Sequence, residues 1–255
     1  MGAFLVRLSR MAARTETRLD WSKLAVLVAC LVAGTLLWDY PVVLPLKLVV
    51  VAMHETGHAL ASLFVGGSVD RISLSSDQSG YCLSRLPEGT LRQITVYSAG
   101  YLGSTIAGSL LLLATFRFRM RRAVLGGMSV WLAVVGLLYG RDTFTLFFCF
   151  GAAAALGLAA KFLPDGAADA LNLFLAAFSV LYAVIDLRDD LWDGAVRTRS
   201  DAALLSDLTY VPSIVWAAVW TVGSVVILFF FARLALRKEL PRPPAMQVTL
   251  PTGRL

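Results

Sequence analysis

Histidine, cysteine and charge are all scarce in this chain. Its 255 residues include 2 histidines and 3 cysteines, and only 16% are Asp, Glu, Lys or Arg. A soluble domain carries about 25% charged residues. The deficit argues against a large solvated surface, and no polar stretch between the apolar runs is long enough for a soluble domain. Cys30, Cys82 and Cys149 share no metal-like spacing. They read as small core residues, with Cys82 the one nearest water. No secretory signal is expected either. Residues 2–18 alternate apolar positions with Arg7, Arg10, Arg14 and Arg18 and contain no long apolar core. Residues 1–22 are therefore expected as a basic N-terminal segment, either an interfacial amphipathic helix or a tail. The net charge of +6 does not indicate nucleic acid, because the basic residues flank apolar runs, where they anchor and orient membrane helices.

What is abundant is apolar length. Hydrophobic residues make up 58% of the chain, and its mean hydropathy is +0.72. A membrane span needs about 20 mostly apolar residues. Residues 23–38, 42–67, 94–116, 123–139, 143–162, 168–187 and 211–236 are the candidates. The fourth is short, so six spans plus a re-entrant segment is the alternative to seven. The expected fold is an all-α polytopic membrane protein with about six or seven transmembrane helices. One domain is expected over 23–238. Pro241, Pro243 and Pro244 then open a disordered tail, 239–255.

Both histidines fall in one pentad, His54-Glu55-Thr56-Gly57-His58, inside the second apolar run. On a helix, positions i and i+4 share a face, so the two imidazoles can reach one Zn²⁺, with Glu55 beside it as general base. Ionisable residues at bilayer depth are costly and need a polar partner. A structural hydrogen bond would use two of the three; metal ligation uses all three.

The polar connection that follows, 68–93, opens on the alternating Val69-Asp70-Arg71-Ile72-Ser73-Leu74. It turns through 75–80 and continues as Tyr81-Cys82-Leu83-Ser84. This pattern predicts a β-hairpin whose free edge could take an extended peptide as a further strand. Gly100, Ser104 and Gly108 form a small-residue row on the third span, which predicts close helix packing.

A catalytic zinc takes three protein ligands. No histidine remains, so a carboxylate is expected as the third. Asp142, Asp165, Asp186, Asp189 and Asp190 are the candidates. Asp186 is preferred because the residues before it are apolar and its depth, roughly 22–27 Å into its span, can meet that of His54 at roughly 15–18 Å. Asp142 is the runner-up, and an ion pair with Arg141 is its simpler explanation. A turn explains Asp165. Asp189 and Asp190 read as groups supporting the ligands or as helix-end carboxylates facing water.

With the pentad in a span, the chain resembles the site-2 protease family of intramembrane zinc metallopeptidases, in a compact form without appended soluble domains. The resemblance runs from about Val49 to Trp220. It is carried by His54-Glu55-Thr56-Gly57-His58-Ala59-Leu60, the hairpin-like loop and Ala99-Gly100-Tyr101-Leu102-Gly103. Asp186-Leu187-Arg188-Asp189-Asp190-Leu191 and Ser200-Asp201-Ala202 follow in order. It implies His54 and His58 as zinc ligands, Glu55 as catalytic base and membrane proteins or peptides as substrates. Better-known members place the third ligand in an Asn-Pro-rich stretch ending Asp-Gly; here only Pro164-Asp165-Gly166 echoes it. The expected location is the lipid bilayer, specifically the plasma membrane. A metal transporter and an inactive membrane scaffold are the rival readings.

Orientation gives conflicting signals. Counting spans from the basic N-terminus puts 68–93 in the cytoplasm but Arg117, Arg119, Arg121 and Arg122 outside, against the positive-inside tendency.

Overall fold

A computed structural model describes residues 19–192 and 200–238, with the backbone alone described at 184 and 186–192. The N-terminal arm before Leu19 and the tail from 239 lie outside the described residues. In chain order the elements are α1 (Trp21–Leu36), a 3-10 turn (Pro41–Val43), α2 (Leu44–Phe64), β1 (Ser68–Leu74), β2 (Gly80–Arg85), α3 (Thr90–Phe116), α4 (Arg121–Tyr139), α5 (Thr143–Phe162), α6 (Asp165–Trp192), α7 (Asp201–Thr209) and α8 (Ser213–Ala235).

Local chemistry sets the helix starts. The Asp20, Asp142 and Ser200 side chains each accept a backbone N–H of the helix that follows, from Lys23, Thr145 and Ala203 respectively. Pro41 opens the 3-10 turn and Pro45 sits in the first turn of α2, where no intrahelical N–H is needed. Among the described residues, five helices are long and apolar enough to cross a membrane: α3, α4, α5, α6 over Asp165–Ala183, and α8. The chain is an integral, polytopic, all-α membrane protein. The pentad helix α2 is not among the five, since Lys47, His54, Glu55 and His58 interrupt its apolar run. All four are buried inside the protein.

The first two helices correct the simple span count. Lys23 at the start of α1 donates its ammonium to the Phe116 carbonyl at the end of α3 (3.0 Å), and α1 continues past Leu112 and Gly108. It therefore runs antiparallel to α3. In α2, His58 lies beside Val96 while His54 lies beside Gly100, so α2 is antiparallel to α3 as well. The two helices run in one direction, along successive parts of α3. Between them the chain doubles back through 37–43, where Trp38 stacks on Phe178 at 5.7 Å. The start of α1 and the Arg117–Arg122 cluster, which the span count puts on opposite sides, lie at the same end for this reason. Lys23, Phe116 and Ala235 meet at one end of the bundle.

The hairpin is present as expected. β1 and β2 pair antiparallel from Ser68↔Arg85 to Leu74↔Gly80, with an irregularity at Val69/Arg71. It folds back along α2 instead of projecting into solvent. At its base the Ser62 hydroxyl donates to the Ser84 hydroxyl (3.0 Å). Near its tip, the Ser73 hydroxyl donates to Asp142 and the Leu74 N–H to the Thr145 hydroxyl, both at the start of α5. Lys47 donates to the Gln78 side chain (2.8 Å) and lies over the Trp38 ring. These bonds fix the start of β2 beside the middle of α2.

Candidate metal centre

The i, i+4 spacing on α2 places both imidazoles on one face, as the sequence predicts. Their Nε2 atoms are 3.0 Å apart. A third group joins them from a distant part of the chain. Asp201 Oδ2 lies 3.2 Å from His54 Nε2 and 3.0 Å from His58 Nε2. Asp201 is the first residue of α7, whose start is fixed by the Ser200 cap. Helix α7 packs through Ala202 and Leu205 on Tyr101 of α3 and Trp220 of α8. That apolar seat, together with the cap, aims the carboxylate at the histidines.

The donor set fits a zinc ion. Donors held tetrahedrally at about 2.0–2.1 Å from one ion are roughly 3.3–3.4 Å from each other. The observed triangle, with sides of 3.0, 3.0 and 3.2 Å, is a few tenths of an ångström tighter. His58 Nδ1 is 2.7 Å from the Val96 carbonyl. A proton on Nδ1 would donate there and leave the Nε2 lone pair facing the shared point, which is the usual arrangement for a ligating histidine. Among the described residues, His54, His58 and Asp201 are the group of His, Cys, Asp and Glu that converges closely enough for a metal.

Space at this point exists because α3 presents no side chain there. A Cβ on Gly100 would collide with Nε2 of both histidines, and one on Gly57 would collide with the Ala99 carbonyl. The small-residue row expected to serve packing thus also makes room for the donor atoms. Glu55, one residue on from His54, turns toward the hairpin. A Cβ on Gly80, the first residue of β2, would lie 2.9 Å from Glu55 Oε1 and 2.7 Å from Val51. The carboxylate is therefore pressed against the backbone of β2. Burial, reinforced by the Glu55 and Asp201 charges, pushes the nearby Cys82 thiol up to about 12, and its sulfur is not part of the converging group.

The other carboxylates have separate positions. Asp142 caps α5 and receives the Ser73 and Thr145 hydroxyls, each at 2.7 Å. The Arg141 guanidinium bonds the Gly140 and Leu138 carbonyls. Asp165 opens α6 at the opposite end of the bundle, paired with Arg121 (2.7 Å) and Arg122 (3.2 Å). The side chains of Asp186, Asp189 and Asp190 lie outside the described residues. Sequence reasoning passed over Asp201, although Ser200-Asp201-Ala202 carries the Ser–Asp signature of a helix start.

A sequence model of the Peptidase M50B-like family matches residues 27–231, which takes in α2, the hairpin, α7 and most of α8. The chain belongs to that family. This is the site-2 protease family of membrane metallopeptidases, so the resemblance drawn from the pentad is correct at family level. No curated protein matches the chain, and neither does any solved structure.

Proposed function

We propose that the chain is an intramembrane zinc endopeptidase that hydrolyses peptide bonds of membrane protein substrates. In this reading His54, His58 and Asp201 hold the metal, and Glu55 is the general base. The observation that carries it is the convergence of two imidazole nitrogens and one carboxylate oxygen beside a buried glutamate. Asp201 replaces Asp186 as the preferred third ligand because its oxygen already lies within 3.2 Å of both nitrogens.

When bound, zinc supplies Lewis acidity to a water and to the scissile carbonyl. Glu55 takes a proton from the attacking water and delivers it to the leaving amine. A transmembrane substrate must unwind before attack, since its helical carbonyls are hydrogen-bonded. Among the described residues β2 pairs only with β1, so its second edge can accept the unwound segment as a strand. Gly80 keeps that edge close to the Glu55 carboxylate. The plasma membrane is the proposed location.

A transport path would display metal-binding groups at several depths. The described residues gather them at one, which favours hydrolysis. The test is Glu55→Gln in the purified chain, reconstituted with a candidate membrane substrate. The amide cannot accept the proton, so the variant should keep its zinc and lose cleavage. Cleavage at the wild-type rate would remove Glu55 as the base. Metal flux into proteoliposomes, with no cleavage by the wild type, would favour the transporter.

A further inference from the structure

The two histidines of the metal centre are held by different means. His58 has a tether, since its Nδ1 lies 2.7 Å from the Val96 carbonyl. His54 has none of that kind. It is 6% exposed, and its Nδ1 is buried with no hydrogen-bond partner among the described residues. A ligating histidine ordinarily uses that second nitrogen to fix the orientation of its ring. Here ring packing takes over the task.

Tyr101 of α3 meets the His54 imidazole in a T-shaped pair, with centroids 4.7 Å apart and planes at 86°. Tyr182 of α6 lies farther off, at 5.9 Å and 70°. Aromatic pairs favour such crossed arrangements at roughly 4.5–7 Å. Tyr101 is also part of the apolar cluster that seats α7, with Ala202 and Leu205. Behind it the packing continues into α8. The Tyr101 ring stacks on Trp220 at 5.2 Å and 24°, and Trp220 leans on Trp216 at 6.4 Å and 36°. Trp216 Nε1 donates to the hydroxyl of Thr209, the last residue of α7 (3.1 Å), and that hydroxyl donates to the Leu205 carbonyl (2.6 Å). Trp220 is 1% exposed, and its indole N–H has no partner among the described residues, so the packing uses its ring and not its donor. The column of rings therefore starts at one metal-site residue, His54, and ends on the helix that carries another, Asp201.

We propose that Tyr101 is a positioning residue of the metal centre. Its ring sets the plane of the His54 imidazole and, through Trp220, holds α7 where the Asp201 carboxylate meets that imidazole. The inference rests on the reading of His54, His58 and Asp201 as metal ligands. It assigns the task to the aromatic ring of Tyr101 and not to its hydroxyl.

Metal affinity and a coordination spectrum test it without any substrate. The full-length wild type, Tyr101→Phe, Tyr101→Leu and Trp220→Leu proteins are purified in detergent and stripped of metal. Each is titrated with zinc against a competing chelator, and separately with Co²⁺, whose visible absorption reports ligand geometry. Tyr101→Phe keeps the ring and should match the wild type in affinity and spectrum. Tyr101→Leu should bind zinc about 10–100-fold more weakly, the usual loss when a group that orients a ligand is removed. Its cobalt spectrum should change as well. Trp220→Leu leaves the His54–Tyr101 contact in place, so its loss should be smaller and in the same direction. If Tyr101→Leu does not fold, the contrast between Tyr101→Phe and Trp220→Leu decides. Wild-type affinity and spectrum in Tyr101→Leu or in Trp220→Leu would overturn the inference, and so would a loss in Tyr101→Phe as large as in Tyr101→Leu. A folded wild type that takes up neither metal would overturn the ligand assignment together with this inference, whereas a wild type that binds both beside an unaffected Tyr101→Leu would overturn this inference alone.

Discussion

Glycine serves opposite purposes at the α2–α3 crossing and along the α4–α5 pair. At the crossing, a Cβ on Gly57 would strike backbone and one on Gly100 would strike two imidazoles. Along α4 and α5, Gly126, Gly127 and Gly151 face open space, although Gly136 does pack on Cys149. Both regions are apolar helices punctuated by small residues, so composition does not separate them. The difference lies in what the missing side chain makes room for. At the crossing it admits polar groups that need a common partner; in the α4–α5 pair it admits lipid or a neighbouring apolar surface.

The sharpest way to break this contrast is Gly100→Ala. One methyl group must displace both donor nitrogens, so zinc binding should be lost even though alanine favours the helix by about 1 kcal/mol. Full zinc occupancy by metal analysis would show that the close approach is incidental. A smaller effect is expected at Asp142, where the α4–α5 pair grips the hairpin. Asp142→Ala removes the α5 cap and the acceptor for Ser73, which should cost about 1–2 kcal/mol in detergent unfolding. Zinc content should stay near normal, and a large zinc loss would make Asp142 part of the site. Burial raises the Asp142 carboxyl, but hydrogen bonds from Thr145 and Ser73 outweigh it and hold it below the usual carboxylate range. Its contribution is therefore present at neutral pH and lost as pH falls through the folded-state value. The smallest effect belongs to Gly126→Ala and Gly151→Ala. With nothing to strike, they should be neutral or stabilising by up to about 1 kcal/mol, with unchanged zinc. Marked destabilisation would show that the open faces are packed in the membrane.

Much of the fold could be read from the sequence because its signals are local. Apolar runs mark the helices, alternation through 69–74 marks the first strand, and the i, i+4 pentad places two donors on one face. The divided path of α1 and α2 could not be read that way. It depends on the turn at 37–43 and on contacts with α3, whereas hydropathy registers only two more apolar runs. Asp201 was missed for a related reason. Depth counted along spans selects carboxylates inside helices, but Asp201 sits at the start of a short helix outside any span. It is brought to the histidines by packing of Ala202 and Leu205 across 147 residues of sequence separation from His54. Gly100 was visible as a packing residue, but its contact with both imidazoles depends on the rotation of α3, which spacing alone does not give.

The central claim is that His54, His58 and Asp201 hold one metal ion. Metal analysis of the purified wild type, Asp201→Ala and Asp186→Ala proteins tests it most directly. The account predicts about one zinc per chain in the wild type and in Asp186→Ala, and a severe loss in Asp201→Ala. Zinc kept by Asp201→Ala but lost from Asp186→Ala would contradict it.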